Sequence, residues 1–397
     1  MKKDPIEAHE ARLLVLCSRP RSGPEAREEV RRLIGQGVGW ERLLRRAEED
    51  GVLPLLYWNL RGLPEEVPPD VLDRLKRGYL GSLARNSKLL RQLEPFLAEV
   101  NASGLPLIVT KGPRLALSIY PDAALRPFWD VDFVVPPRAW PEVAGILARL
   151  GFEEARTAGM GPPASAAGLD WTYSPYFRKG DLVLEFHFNT FGLHFPDCSL
   201  QAGVWRPHPR PMRFGGAEAL VFGPEAELSY LCLHAQQHSY ERLIWLVDIA
   251  EMASRPGLDW DAVGRVCAGL GIHAPVFHGL ALAEALWPGA LPEKALSRLR
   301  PGPLSRTALG FLWPAGDVIR REAPWAWPYY MPTLFSLWER RDPGLVARTV
   351  PAILFPPRPW LAAARKRPAR SARLYLQYAR RIWHPFGLAA RRLVRLR

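Results

Sequence analysis

Two aspartates stand one residue apart inside the apolar stretch FWDVDFVV, residues 128–135. Asp130 and Asp132 interrupt what otherwise reads as a buried strand. A buried carboxylate without a partner is strongly unfavourable, so a pair of them calls for a cation. A second apolar segment, DLVLEFHFN (181–189), carries a third carboxylate, Glu185, with His187 two residues on. Side chains alternate faces along a strand. Asp130, Asp132 and Val134 would therefore share one face, the aspartates about 7 Å apart along the chain. Trp129, Val131, Phe133 and Val135 would form the apolar face. In the second segment Val183, Glu185, His187 and Asn189 oppose Leu182, Leu184, Phe186 and Phe188. Three carboxylates on neighbouring strands offer the hard oxygen ligands that two Mg²⁺ ions need, with Mn²⁺ an acceptable substitute. Such ions activate an attacking hydroxyl and neutralise phosphate charge. Upstream, Gly112 would let a phosphate approach the backbone at a helix start, while Lys111 and Arg126 meet the remaining charge.

The elements that must position these residues are legible from periodicity. Residues 25–60 read as helices, with Trp40, Leu43, Leu44, Ala47, Val52 and Leu55 near a 3.6-residue repeat. A long helix follows from Pro69, closed by Gly104. The pattern then changes to short strands, LPLIVT (105–110), FWDVDFVV, LDWTYSPYF (169–177) and DLVLEFHFN, the last two joined by a turn at RKGD. A helix spans 138–152, and from Pro224 the chain becomes helical again to about residue 255. These elements imply an α+β fold, a small mixed sheet with helices flanked by N-terminal and C-terminal helical regions. The expected divisions are 1–103, a helical region; 104–215, the catalytic core; 216–342, a second helical domain; and 343–397, a basic amphipathic tail.

Composition narrows the function. Apolar residues make up 48 %, which fits real cores and argues against a disordered chain. Cys17, Cys198, Cys232 and Cys267 form no CxxC pair, which fits a reducing compartment and argues against a zinc ribbon or disulfide scaffold. No apolar run is long enough for a membrane span, and the N-terminus carries no signal-peptide core. The expected location is the cytoplasm, with peripheral attachment to a membrane left open by the tail. The net charge of +13 lies there: residues 343–397 hold thirteen Lys and Arg and no acid, leaving forty charges of each sign elsewhere. That tail, with Trp360, Tyr375, Tyr378 and Trp383, could meet an anionic membrane surface or another polyanion, or pack on its own protein. The charge-neutral body argues against a nucleic-acid groove.

Other residues carry two readings each. His234 and His238, four apart on a helix, have a spacing that suits zinc, but HExxH glutamate and third ligand are missing. They otherwise line the far wall of the cleft or make structural hydrogen bonds. Asp248 could pair with Arg242 or another base. Trp171, Tyr173 and Tyr176 could stack a nucleobase or fill the core.

The order KG, helix, Arg, DVDFVV, LVLEFHFN resembles the DNA polymerase beta-type nucleotidyltransferase superfamily, and within it an uncharacterised bacterial nucleotidyltransferase family. The flanks WERLLRRAEEDGVLPLLY, LCLHAQQHSYERLIWLVDIAEM and LFPPRPW are similar to that family as well. The resemblance implies that Asp130 and Asp132 bind both metals, that Glu185 is the third ligand and a candidate base, and that Gly112 with Lys111 holds an NTP. His187 would orient Glu185 or touch substrate. The implied reaction is attack of an acceptor hydroxyl, on a small molecule, peptide or protein, at the α-phosphate, with release of pyrophosphate. One departure stands out: the superfamily has Gly-Ser or Gly-Gly where this chain has Lys111-Gly112-Pro113, so no hydroxyl adjoins the glycine. Two alternatives remain: a degenerate nucleotide-binding scaffold docking through its tail, and a glycosyltransferase using the DxD. The helical first hundred residues count against the second.

Overall fold

The computed structural model describes residues 7–21, 23–155, 174–188, 209–320, 330–355 and 373–395. Trp171, Tyr173, Asn189, Cys198 and Trp360 lie outside them. Among the described residues the first elements are the helices α1 (Ala8–Leu16), α2 (Pro24–Ile34), α3 (Trp40–Asp50) and α4 (Leu53–Leu60). The long helix α5 runs Pro69–Ala102, with Gly104 behind it at φ 65°. Its start at a proline and stop at a left-handed glycine follow from the missing N–H of one and the missing Cβ of the other.

Among the described residues the sheet has seven strands: β1 (Ile108–Thr110), β2 (Val131–Val134), β3 (Glu153–Glu154), β4 (Tyr176–Lys179), β5 (Leu182–His187), β6 (Arg210–Phe214) and β7 (Ala217–Val221). Their order is β3-β4-β5-β2-β1-β7-β6. It is mixed: β2 lies parallel to β5 and antiparallel to β1, and β1 lies parallel to β7. The mixed sheet with helical flanks is the expected α+β class. The β6–β7 hairpin, not expected from the sequence, carries the sheet past residue 215 to Val221.

One sheet face is a ring-rich core. Phe133 and Phe186 stack at 5.4 Å, with Phe96 of α5 edge-on to both and Trp140 of α7 (Trp140–Arg149) against Phe186. The other face turns toward α8 (Pro224–Gln237). The helix expected from Pro224 to about residue 255 is two helices. It breaks at Ser239 and Tyr240, both at positive φ (52° and 54°), before α9 (Leu243–Ala253). The N-terminal helices share one hydrophobic cluster with α8, α9 and the helices that follow, while the second half of α5 belongs to the sheet's cluster. Asp50 of α3 makes this junction explicit, taking the Leu243 N–H at 3.0 Å.

Candidate active site

Strand register aligns four polar side chains in a single row. Thr110 on β1 pairs with Asp132 on β2, Asp132 with Glu185 on β5, and Glu185 with Tyr176 on β4. The next row sets Val134 beside His187. Because paired residues share a face, this register makes Asp132 and Glu185 neighbours whatever their rotamers. The apolar partners go the other way: Val131, Phe133, Leu184 and Phe186 are fully buried. The alternation expected from sequence holds across both strands.

Asp132, Glu185 and His187 each present a ligand atom, all within 4.8 Å of one another. His187 Nε2 lies 2.8 Å from Asp132 Oδ1 and 3.6 Å from Glu185 Oε1, and its Nδ1 lies 3.1 Å from Ser174 Oγ. A carboxylate only accepts, so the Nε2 proton points to Asp132. Lys111 Nζ reaches the same Asp132 oxygen at 2.5 Å. Burial works against the Asp132 charge, but Lys111 and His187 more than offset it and hold the carboxyl below its usual range. Lys111 is the mirror case: burial would remove its proton, and Asp132 holds its pKa above the ordinary lysine value. Burial, reinforced by Asp132 and opposed chiefly by His187, raises the Glu185 carboxyl. Burial and the Glu185 carboxylate, which accepts the Tyr176 hydroxyl hydrogen bond, push the Tyr176 phenol up.

Asp130 stands differently. Strand β2 begins at Val131, so Asp130 occupies the bend ahead of it, half-buried. It is near enough to feel Asp132, Lys111, Glu185 and Arg126, and burial with Asp132 repulsion lifts its pKa to about 6. Trp129, expected on the apolar face, is 45 % exposed, because the strand that would have turned it inward has not yet begun.

Lys111 is itself in an unusual conformation, φ 54°, at the turn from β1 into the short helix α6 (Gly112–Ala116). A left-handed non-glycine residue persists only where its surroundings fix it. Here Glu227 of α8 does so, accepting from Lys111 N at 3.2 Å and from Thr110 Oγ1 at 2.8 Å. Glu227 is fully buried, which raises its carboxyl, with Arg114 opposing at 3.9 Å. Gly112 is required by packing: a Cβ there would meet Phe128 Cβ at 3.0 Å and the Asp130 carbonyl oxygen at 3.3 Å. The glycine thus brings the DxD segment against the β1 turn.

Arg126, expected to face phosphate, sits on Asp248 of α9. Its Nε lies 3.0 Å from both carboxylate oxygens, its Nη2 lies 2.8 Å from one, and Tyr120 adds its hydroxyl at 2.7 Å. Burial would weaken this guanidinium, and Asp248 keeps it charged. His234 and His238 lie with ring centroids 4.7 Å apart, tilted at 57°, and both pack on Trp245. Burial, with Lys111 next, drives the His234 pKa well down, which sets that imidazole near the site and neutral. Among the described residues the only ligand cluster excludes both, so nothing supports zinc there. Sequence reasoning passed over Glu227 and Tyr176's role. Glu227 reads as an ordinary first-turn acid of a helix, and only the fold shows what it caps.

A mixed sheet whose central strands converge carboxylates, an imidazole and an ammonium beneath a helical cover has the make-up of a nucleotidyltransferase core. The chain belongs to the family described as "Uncharacterised nucleotidyltransferase", matched over residues 36–288. That span holds every site residue discussed above. No curated protein and no solved structure matches the chain.

Proposed function

We propose that this protein transfers a nucleoside monophosphate from an NTP to a hydroxyl or similar acceptor on a small molecule, peptide or protein, releasing pyrophosphate. The observation that carries the reading is the Asp132–Glu185 register pair, with His187 within 4.8 Å, in a chain of a nucleotidyltransferase family. The donor set fits a divalent cation: carboxylate oxygens and one imidazole nitrogen, with a further carboxylate at Asp130. Asp130, Asp132 and Glu185 would hold two Mg²⁺ ions, or Mn²⁺. Bound there, such ions lower the pKa of an attacking hydroxyl and neutralise charge at the α-phosphate.

The chain's own groups supply the rest. The acceptor oxygen forms its bond to the α-phosphorus as the bond from that phosphorus to the α–β bridging oxygen breaks. The electron pair leaves with pyrophosphate. The acceptor proton passes to Glu185, the candidate base, which stands in register with Asp132. Tyr176 holds Glu185 from β4, and His187 with Lys111 orients Asp132. Gly112 and Lys111 form the turn over which the triphosphate would lie.

One observation favours the degenerate-scaffold reading instead: Lys111's ammonium already satisfies Asp132 Oδ1. The test is incubation with Mg²⁺, each NTP labelled at the α-phosphate, and cell extract. Transferred label supports nucleotidyl transfer, whereas NTP binding without transfer supports the scaffold.

The tail's partner is proposed from its C-terminal helix, Arg373–Arg395. No helix among the described residues is long and apolar enough to cross a membrane. This one is anchored by Leu388, buried, and by Tyr378 against Phe355. It leaves Tyr375, Leu376, Trp383 and Phe386 at least 60 % exposed. At helical spacing these four share a face of a segment that carries no acid, the make-up of a helix lying in an anionic membrane surface.

A further inference from the structure

Both cations that the sequence offers for the triphosphate have partners inside the protein. Lys111 is on Asp132 and Arg126 on Asp248. A pyrophosphate leaving group concentrates negative charge, so other cations must face it if the reaction is the one proposed above. The structure supplies a pair of them on the Asp130 side of the site. Trp129, next to Asp130 and 45 % exposed, carries a guanidinium on each of two neighbouring elements. Arg85 of α5 lies with Cζ 5.3 Å from the ring centroid, and Arg242, ahead of α9, lies 5.0 Å away.

Arg242 is the more telling of the two. It is half-buried, and its Nε is buried without a hydrogen-bond partner among the described residues. Neither Arg242 nor Arg85 makes an ion pair with a described carboxylate. Burial and the nearby Arg126 both weigh against Arg242's charge, while Asp130 and Asp248 support it. A desolvated guanidinium with an unused donor is costly unless an anion completes it. Its position is fixed: the preceding turn is pinned by Tyr240 N to the Ala235 carbonyl at 2.7 Å and by Leu243 N to Asp50. The cation–π contact with Trp129 holds the guanidinium in place, its Nε donor is unused, and its planar fork suits phosphate oxygens.

We propose that Arg242 and Arg85, held on Trp129, form a binding site for the β- and γ-phosphates of the NTP and for the pyrophosphate that leaves. This rests on the nucleotidyl-transfer reading only for the identity of the polyphosphate. The test uses the full chain without divalent metal, titrated calorimetrically with inorganic pyrophosphate and separately with a non-hydrolysable NTP analogue. Arg242→Gln should weaken both by roughly tenfold or more, the scale of a charge-assisted hydrogen bond. Arg85→Gln, exposed, should cost a few-fold, and Arg242→Lys should recover only part of the loss. Added salt should weaken wild-type binding more than that of Arg242→Gln. Unchanged pyrophosphate affinity in Arg242→Gln overturns the site. If that variant does not fold, unchanged affinity in both Arg242→Lys and Arg85→Gln overturns it equally. Wild-type protein that binds pyrophosphate through these arginines yet transfers no nucleotide would sink the proposed reaction and leave the site standing. NTP binding and transfer indifferent to both arginines would do the reverse.

Discussion

Replacing Asp248 by Asn removes one charge from a pair buried between the sheet and α9. Asp248 is 0 % exposed and Arg126 6 %. The guanidinium contacts the carboxylate through Nε at 3.0 Å and Nη2 at 2.8 Å, with the Tyr120 hydroxyl at 2.7 Å. At an effective dielectric near 20, opposite charges at this range attract by ~6 kcal/mol, and much of that is offset by lost hydration. Removing one partner leaves the other buried and uncompensated, and such changes cost about 3–5 kcal/mol. Asp248→Asn and Arg126→Met should each lose that much in urea unfolding. The Arg126→Met/Asp248→Asn double variant should lose less than the sum, with a coupling of about 2 kcal/mol or more. Single variants within about 1 kcal/mol of wild type, or additive losses, would show that the two charges do not depend on each other. The double variant also decides what Arg126 does. Near-wild-type affinity for an NTP analogue makes Arg126 a structural post for the 126–130 segment, whereas a tenfold loss returns it to the phosphates.

Three further outcomes are expected. Lys111→Met should destabilise the metal-free protein by about 2–3 kcal/mol, because the buried Asp132 loses its ammonium partner and keeps the His187 hydrogen bond, and added Mg²⁺ should restore more stability than it gives wild type; equal Mg²⁺ stabilisation in both would count against a shared site. Asp130 holds its proton to a higher pH folded than unfolded, so its contribution to the metal-free fold is present below its unfolded pKa and is lost as pH rises through about 6. Mn²⁺ affinity should rise across the same window, and Asp130→Asn should flatten both trends; a wild-type affinity flat in pH would contradict this. Deleting residues 373–395 should abolish binding to anionic vesicles, binding that in the full chain weakens with salt, while leaving NTP affinity within about tenfold; undiminished vesicle binding would assign the contact elsewhere.

Much of the site was legible because a strand's period of two is strict. Once β2 and β5 are recognised, Asp132, Glu185 and His187 must share a face, and only their register is left to the fold. Asp130 escaped the same logic because the alternation begins at Val131. The change from strand to bend at that point reflects the close packing of Gly112 on Phe128 and the Asp130 carbonyl, a long-range contact with no local signature. The partner of Arg126 was hidden for a related reason: sequence adjacency to the DxD says nothing of Asp248, which lies on a helix over a hundred residues later. The single helix expected after Pro224 divides at Ser239–Tyr240, where no glycine or proline marks the break. The left-handed turn there is imposed by tertiary contacts, including Asp50 capping α9. The hairpin β6–β7 was missed since Arg210, Pro211 and Arg213 blur its alternation. The helical flanks, by contrast, announce themselves by period and by their terminal prolines.

Asp132 and Glu185 are proposed to carry transfer of a nucleotidyl group. The most direct measurement sets α-labelled against γ-labelled NTP in parallel reactions with Mg²⁺ and cell extract, for wild type, Asp132→Asn and Glu185→Gln. Wild type should place α-label on an acceptor and γ-label in released pyrophosphate, with both falling by at least about a hundredfold in either variant. Label from the γ-position on the acceptor, or α-transfer undiminished in Asp132→Asn, would contradict that role.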